Sequence, residues 1–138
     1  MNHSTIGVDQ VERALLEACR RAHAEIVEFT VAPRACSLAE PWDGYEWLIE
    51  FADPPRAPDR FPCALDEALC HLDTVYRARR RSDGSMAPPR VIEVPAGTFS
   101  RWRSSAGRDV PRVSETRVVA DGVLAVAAES RVPLITVG

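Results

Sequence analysis

The sequence contains no lysine: its seventeen basic residues are all arginine. No side-chain amine is therefore available to neutralise a reacting phosphate or carboxylate, and a guanidinium is a planar, bulkier substitute. A run of about 18 apolar residues is also missing, as is a charged-then-apolar leader, so neither a membrane span nor a membrane partner is expected. Cysteine is sparse, and Cys19, Cys36, Cys63 and Cys70 form no C-x-x-C pair. Reduced thiols in a cytoplasmic protein, without a metal site, are the expectation. A large net charge is lacking as well. Seventeen basic against 20 acidic residues leave a net charge of −3, which gives no electrostatic reason to expect nucleic acid as a partner.

What is present is an ordinary globular composition, 46% apolar and 27% charged over 138 residues. That length buries a core without staples. The reading is a single domain over 8–138 after a polar, frayed stretch at 1–7. Arginine in place of lysine, with much alanine and proline, reads as the coding bias of a high-GC bacterium. The one basic run, Arg77 with Arg79, Arg80 and Arg81, falls at a helix C-terminus, where cations suit the dipole.

Apolar residues Val8, Val11, Leu15, Cys19 and Ala22 recur at helical spacing and predict a helix ending near Ala24. Glu25 to Val31 reads as a strand with Val27, Phe29 and Val31 on one face. Tyr45 to Phe51 is the clearest strand. Period two puts Tyr45, Trp47, Ile49 and Phe51 on one side, with Glu46, Leu48 and Glu50 on the other. Four prolines in Asp53 to Pro62 make a loop. A long helix from Pro62 to Arg81 follows, stopped by Ser82-Asp83-Gly84-Ser85, then a strand over Arg90 to Val94. A short helix holds Phe99 and Trp102 and ends at Gly107. The β-prone runs Arg117–Ala120 and Val123–Ala127 flank Asp121-Gly122, a hairpin signal, and Val132 to Val137 reads as a last strand. The sum is an α+β fold. It has a mostly antiparallel sheet, two main helices packed on one face, and a C-terminal β-hairpin.

Several segments stand in a recognisable order: Ala32-Pro33, Tyr45-Glu46-Trp47-Leu48-Ile49-Glu50-Phe51, Leu65-Asp66-Glu67-Ala68-Leu69, and Tyr76 with Arg77 to Arg80. Pro88-Pro89, Val94-Pro95-Ala96-Gly97-Thr98-Phe99, Trp102 and Val110-Pro111-Arg112-Val113 continue it. Over 8–117 the chain resembles the C-terminal domain of the Gretchen Hagen auxin-responsive family, the acyl acid amido synthetases. The resemblance implies descent from enzymes that activate a carboxylate with ATP between a large domain and this small, mobile one. Where that family carries a lysine loop, this chain has the shortened Gly107-Arg108-Asp109. ATP-dependent ligation is therefore not carried over, and residues 118–138 read as an added hairpin and strand.

Glu46 and Glu50 share a strand face roughly 13 Å apart, too far to share a proton. Either can still serve alone as a base. Glu28 and Glu93, on neighbouring strands, are candidates to bring a second carboxylate close. The plainer expectation is that these acids line the watered face of a half-exposed sheet. Tyr76 or His71 is the candidate acid. Trp47, Tyr76 and Trp102 are candidates to line an apolar cleft, with Arg103, Arg112 and Arg117 holding a carboxylate or enolate at its rim. The plainer reading of the aromatics is core. The function read from these residues is a repurposed small biosynthetic enzyme of secondary metabolism. It would act on a small-molecule or polyketide-type substrate by ATP-independent acid–base cyclisation, dehydration or isomerisation, with no cofactor. The alternatives are a non-catalytic accessory or binding domain for a pathway enzyme, and a lid acting in trans on a separate large synthetase domain.

Overall fold

The structure, a computed structural model, describes residues 6–34, 38, 43–82, 84–129 and 135–137. Of the stretch 1–7 expected to be frayed, Ile6 is instead buried in the core with its N–H donating to the Tyr45 hydroxyl. Residues 1–5, the Cys36 thiol, Asp83 of the helix stop and the start of the last strand at 132–134 lie outside the described residues.

Helix α1, Val8–Ala22, buries Val11, Ala14, Leu15, Ala18 and Cys19 and closes on His23 in the left-handed conformation (φ 55°). Strands β1, Glu25–Pro33, and β2, Tyr45–Asp53, follow. A 3-10 turn at Pro58–Arg60 leads into α2, Phe61–Leu72, and then α3, Thr74–Arg77. The single long helix expected to Arg81 is broken at Asp73, whose backbone is extended (φ −134°, ψ 110°). Its Oδ1 accepts the Tyr76 N–H at 3.0 Å, the local competition by which aspartate ends one helix and caps the next. A π-type turn, Ala78–Ser82, completes the segment. Strand β3 is Arg90–Glu93, α4 is Thr98–Ala106, α5 is Val118–Ala128 and β4 is Ile135–Val137.

The sheet order is β1-β2-β3-β4, with β1–β2 and β3–β4 antiparallel and β2–β3 parallel. The α+β class and the two main helices on one face are as expected. Phe29, Val31, Trp47, Ile49 and Val91 pack there against α1 and α2. Val27 leaves that face. The β1–β2 register shifts between Ile26 and Glu28, a bulge that turns Ile26 towards the core and leaves Val27 58% exposed.

The opposite face is not watered. Leu48, Ile92 and Ala32 pack there under Phe99 and Trp102 of α4 and Val119, Ala120, Val123 and Ala127 of α5. Strand β2 is therefore buried on both sides, from Glu46 to Phe51.

The expected C-terminal hairpin is a helix. Its buried residues follow a helical stripe, and Asp121-Gly122 lies inside it rather than at a turn. Gly122 is there for room: a Cβ on it would sit 2.9 Å from Trp102 Nε1. Strand β4 does form and pairs with β3.

Candidate functional site

On the α4/α5 side of the sheet, β2 presents Glu46 and Glu50, each only 6% exposed. Glu50 sits beneath the start of α4. Its Oε2 accepts the Gly97 N–H at 3.0 Å and its Oε1 the Phe99 N–H at 3.3 Å. A carboxylate at a helix N-terminus satisfies orphan donors and meets the positive end of the dipole. Sequence-distant Glu50 thus replaces the side-chain cap that α4 lacks locally.

Glu46 belongs to a second arrangement. Arg117 Nη1 lies 2.9 Å from Glu46 Oε1 while donating its hydrogen bond to the Pro33 carbonyl at 2.8 Å. Glu46 Oε1 is buried, and the Arg117 guanidinium faces it at ion-pair distance without a well-aligned hydrogen bond. Arg90 Nη1 stands 3.9 Å from the other oxygen. Arg117 also pairs with Asp121 at 2.9 Å, tying β1, β2 and α5 together. Burial works against its charge, yet the Asp121 hydrogen bond and the Glu46 and Asp121 charges outweigh it and hold the guanidinium above its ordinary value.

Glu28 faces Glu50 across the β1–β2 ladder, as the expectation of a nearby second carboxylate required. It is already paired with Arg103, which its hydrogen bond and charge push up. Glu93 is not part of that group. It pairs with Ile49 on the other side of the sheet, where burial pushes its carboxyl up.

The candidate acids are elsewhere. Tyr76 packs with the α1/α2 core, on the far side of the sheet from Glu46 and Glu50. Its hydroxyl donates to Asp66 Oδ1 at 2.7 Å, and Arg80 grips the same carboxylate through Nε and Nη2, both at 2.8 Å. Burial, then the Asp66 hydrogen bond and charge, push the phenol far above its usual range. Burial opposes ionisation of Asp66 too, but the Arg80 and Tyr76 hydrogen bonds outweigh it and hold the carboxyl below its ordinary value. His71 is exposed near the end of α2. Neither candidate reaches Glu46 or Glu50.

Trp47 and Trp102 belong to different cores, so no cleft joins them with Tyr76. Trp47 is fully buried, its Nε1 without a partner. Trp102 lies under Gly122, with the Arg108 guanidinium 5.5 Å from its ring centroid. The one cation of the shortened loop thus rests on an indole. Arg112 pairs with Glu12 at 2.5 Å and borders an open groove of about 560 Å³ beside β1, with Leu16, Val27 and Asp109.

Sequence reading missed Asp66 and Arg80 as partners of Tyr76. Asp66 is ten residues from Tyr76 and fourteen from Arg80, across a helix break that no local pattern announces. Cys19 and Cys70 are buried, and burial pushes both thiols up, Cys19 to about 11; Cys63 is exposed. Among the described residues no three potential metal ligands cluster, and no helix is long and apolar enough to cross a membrane.

The family model for the GH3 family C-terminal domain matches residues 9–115. The chain belongs to that family. No curated protein matches this GH3 domain. Its fold is similar to that of AtGH3.15 acyl acid amido synthetase in complex with 2,4-DB, with a TM-score of 0.69 and 16% identity. That alignment covers 99% of the GH3 domain described here and 27% of the synthetase chain. A second structure, of GH3.15 acyl acid amido synthetase, gives 0.65 and 19% identity over 94% of this chain and 25% of that one. The chain thus spans about a quarter of the length of the synthetases it matches. The 99% coverage also takes in the segment after Arg117, which reads from sequence as an addition to the family fold.

Proposed function

We propose that this chain is an accessory domain of acyl acid amido synthetase-type chemistry, closing on a larger adenylate-forming partner and carrying no complete reaction of its own. The observation that carries this reading is the internal use of the groups that chemistry would need. Glu50 caps α4, Glu46 is matched to Arg117, and Tyr76 is tied to Asp66 and Arg80 across the sheet. General acid–base catalysis requires acid and base within reach of one substrate, about 3 Å from the proton each moves. A pair separated by a buried sheet does not meet that condition.

Family membership and the quarter-length match support the lid form of the reading. The absence of lysine sets its limit: the partner must supply the amine that meets the reacting phosphate and carboxylate. This domain contributes closure and surface.

The test is the purified chain with a panel of carboxylic acids, with and without ATP, read by mass spectrometry. A parallel set adds an acyl acid amido synthetase from which the matching C-terminal quarter has been deleted. The expected result is no turnover alone and ATP-dependent amide formation on mixing. ATP-independent conversion by the chain alone would overturn the reading and return Glu46 and Glu50 to candidacy as bases. No rescue of the deleted synthetase would remove the lid and leave a binding role.

A further inference from the structure

At least ten of the seventeen arginines are engaged within the described structure. Arg20, Arg21, Arg79, Arg80, Arg90, Arg103, Arg112 and Arg117 each face a carboxylate within 4.0 Å. Arg101 donates to the Val126 carbonyl and Arg108 rests on Trp102. Arg56 and Arg60 are not engaged, and unlike the exposed Arg13 and Arg77 they line the same depression. Both are exposed, neither side chain has a partner among the described residues, and both line one depression of about 540 Å³. His23 and Arg21 line it too. Its one acid, Glu67, is already engaged by Arg21 at 3.0 Å. Asp59, between the two free arginines in sequence, does not line it. In a chain of net charge −3 this is a local excess of positive charge at a concave site.

The backbone that carries these arginines is held in place. Pro54, Pro55 and Pro58 restrict the loop, and Pro55 is buried. The Arg56 N–H donates to the Ala22 carbonyl at 3.2 Å, fastening the loop to the end of α1. His23, in its left-handed conformation, turns the chain at the same place. A stiff loop lowers the ordering cost that a ligand must meet. Ala22, Ala57 and Ala64 give the depression an apolar floor, and its volume is in the range of small-molecule sites.

We propose that this depression binds a phosphate-bearing small molecule, the phosphoryl group bridged by Arg56 and Arg60 and the organic part lying over the alanine floor. Guanidinium groups bind phosphate as bidentate forks, and two unpaired forks match a dianion.

The test is isothermal titration of the full chain with phenyl phosphate, with benzoate as the singly charged carboxylate of similar body. The expected result is saturable, salt-sensitive binding of phenyl phosphate that weakens about tenfold or more in Arg56→Gln/Arg60→Gln. Arg13→Gln/Arg77→Gln removes the same charge elsewhere and should leave binding within about twofold. All four positions are solvent-facing, and far-UV circular dichroism checks that each variant is folded. Absence of saturable binding would overturn the proposal. So would equal weakening in the two double variants, which would mean a diffuse charge effect. Equal affinity for benzoate would overturn the phosphate assignment.

Discussion

At Glu50 both carboxylate oxygens accept backbone N–H groups of the Gly97–Phe99 turn. Hydrogen bonds to a charged acceptor contribute about 1.5–3 kcal/mol each, so Glu50→Ala should lower unfolding free energy in urea by about 3–6 kcal/mol. Glu50→Gln keeps one acceptor and should lose about half as much. A solvated, unengaged base would leave stability unchanged on removal, and that outcome would undo the capping role. Asp66 gives a pH prediction with a definite sign. Its carboxyl is held below its ordinary 3.8 by Arg80 and Tyr76 against the burial that opposes them. The stability it contributes is present above that value and is lost as pH falls through the depressed one. Below about pH 4 the parent should therefore lose stability more steeply than Asp66→Asn; parallel urea midpoints would contradict the linkage. The common face of Glu46 and Glu50 was readable from period two alone. Their partners were not, because Gly97, Arg117 and Pro33 approach through tertiary structure that spacing does not encode.

Helices and strands divide along the same line. α1 and β2 were legible because each carries its own period, charged residues opposing an apolar stripe in one and alternation in the other. α5 was not. Its valines favour strands and Asp-Gly favours a turn, and both local preferences yield to the α4 surface and the sheet beneath. Gly122 makes the override testable. In an exposed helix, glycine to alanine stabilises by about 1 kcal/mol. Here the new methyl meets the Trp102 indole at 2.9 Å, so overpacking should win by about 1–3 kcal/mol. Gly122→Ala should melt roughly 2–8 °C below the parent in a calorimetric scan. A rise would mean that α5 stands off from α4. The β1 bulge misled in a milder way: a single extra residue sent Val27 outward, and strict alternation cannot foresee where a strand slips.

For the molecule as a whole, the sheet is the partition between two cores, and both must be roofed. The family model ends at residue 115, before α5. Yet Leu48, Ile92 and Phe99 depend on that helix for cover. Full burial of such a side chain contributes about 1.5–3 kcal/mol, and several together rival the 5–15 kcal/mol by which a domain is typically stable. A chain cut after Arg117 should therefore lose its cooperative thermal transition and bind a hydrophobic dye; a sharp transition would show α5 to be dispensable. The α+β class and the helix pair on one face were legible, since they rest on periodic segments near one another in sequence. The closed second face was not, for its roof is the element whose local signals pointed to strand. This order of parts has a consequence for synthesis. Translation delivers α1, α2 and the first three strands before α5 leaves the ribosome. The nascent chain thus passes through an interval in which α4 alone covers the second core, the stage at which a holdase chaperone would engage it. Emergence of Val118–Ala128 ends that interval, so crowding and chaperone supply should act on yield through this late segment more than through the helices made before it.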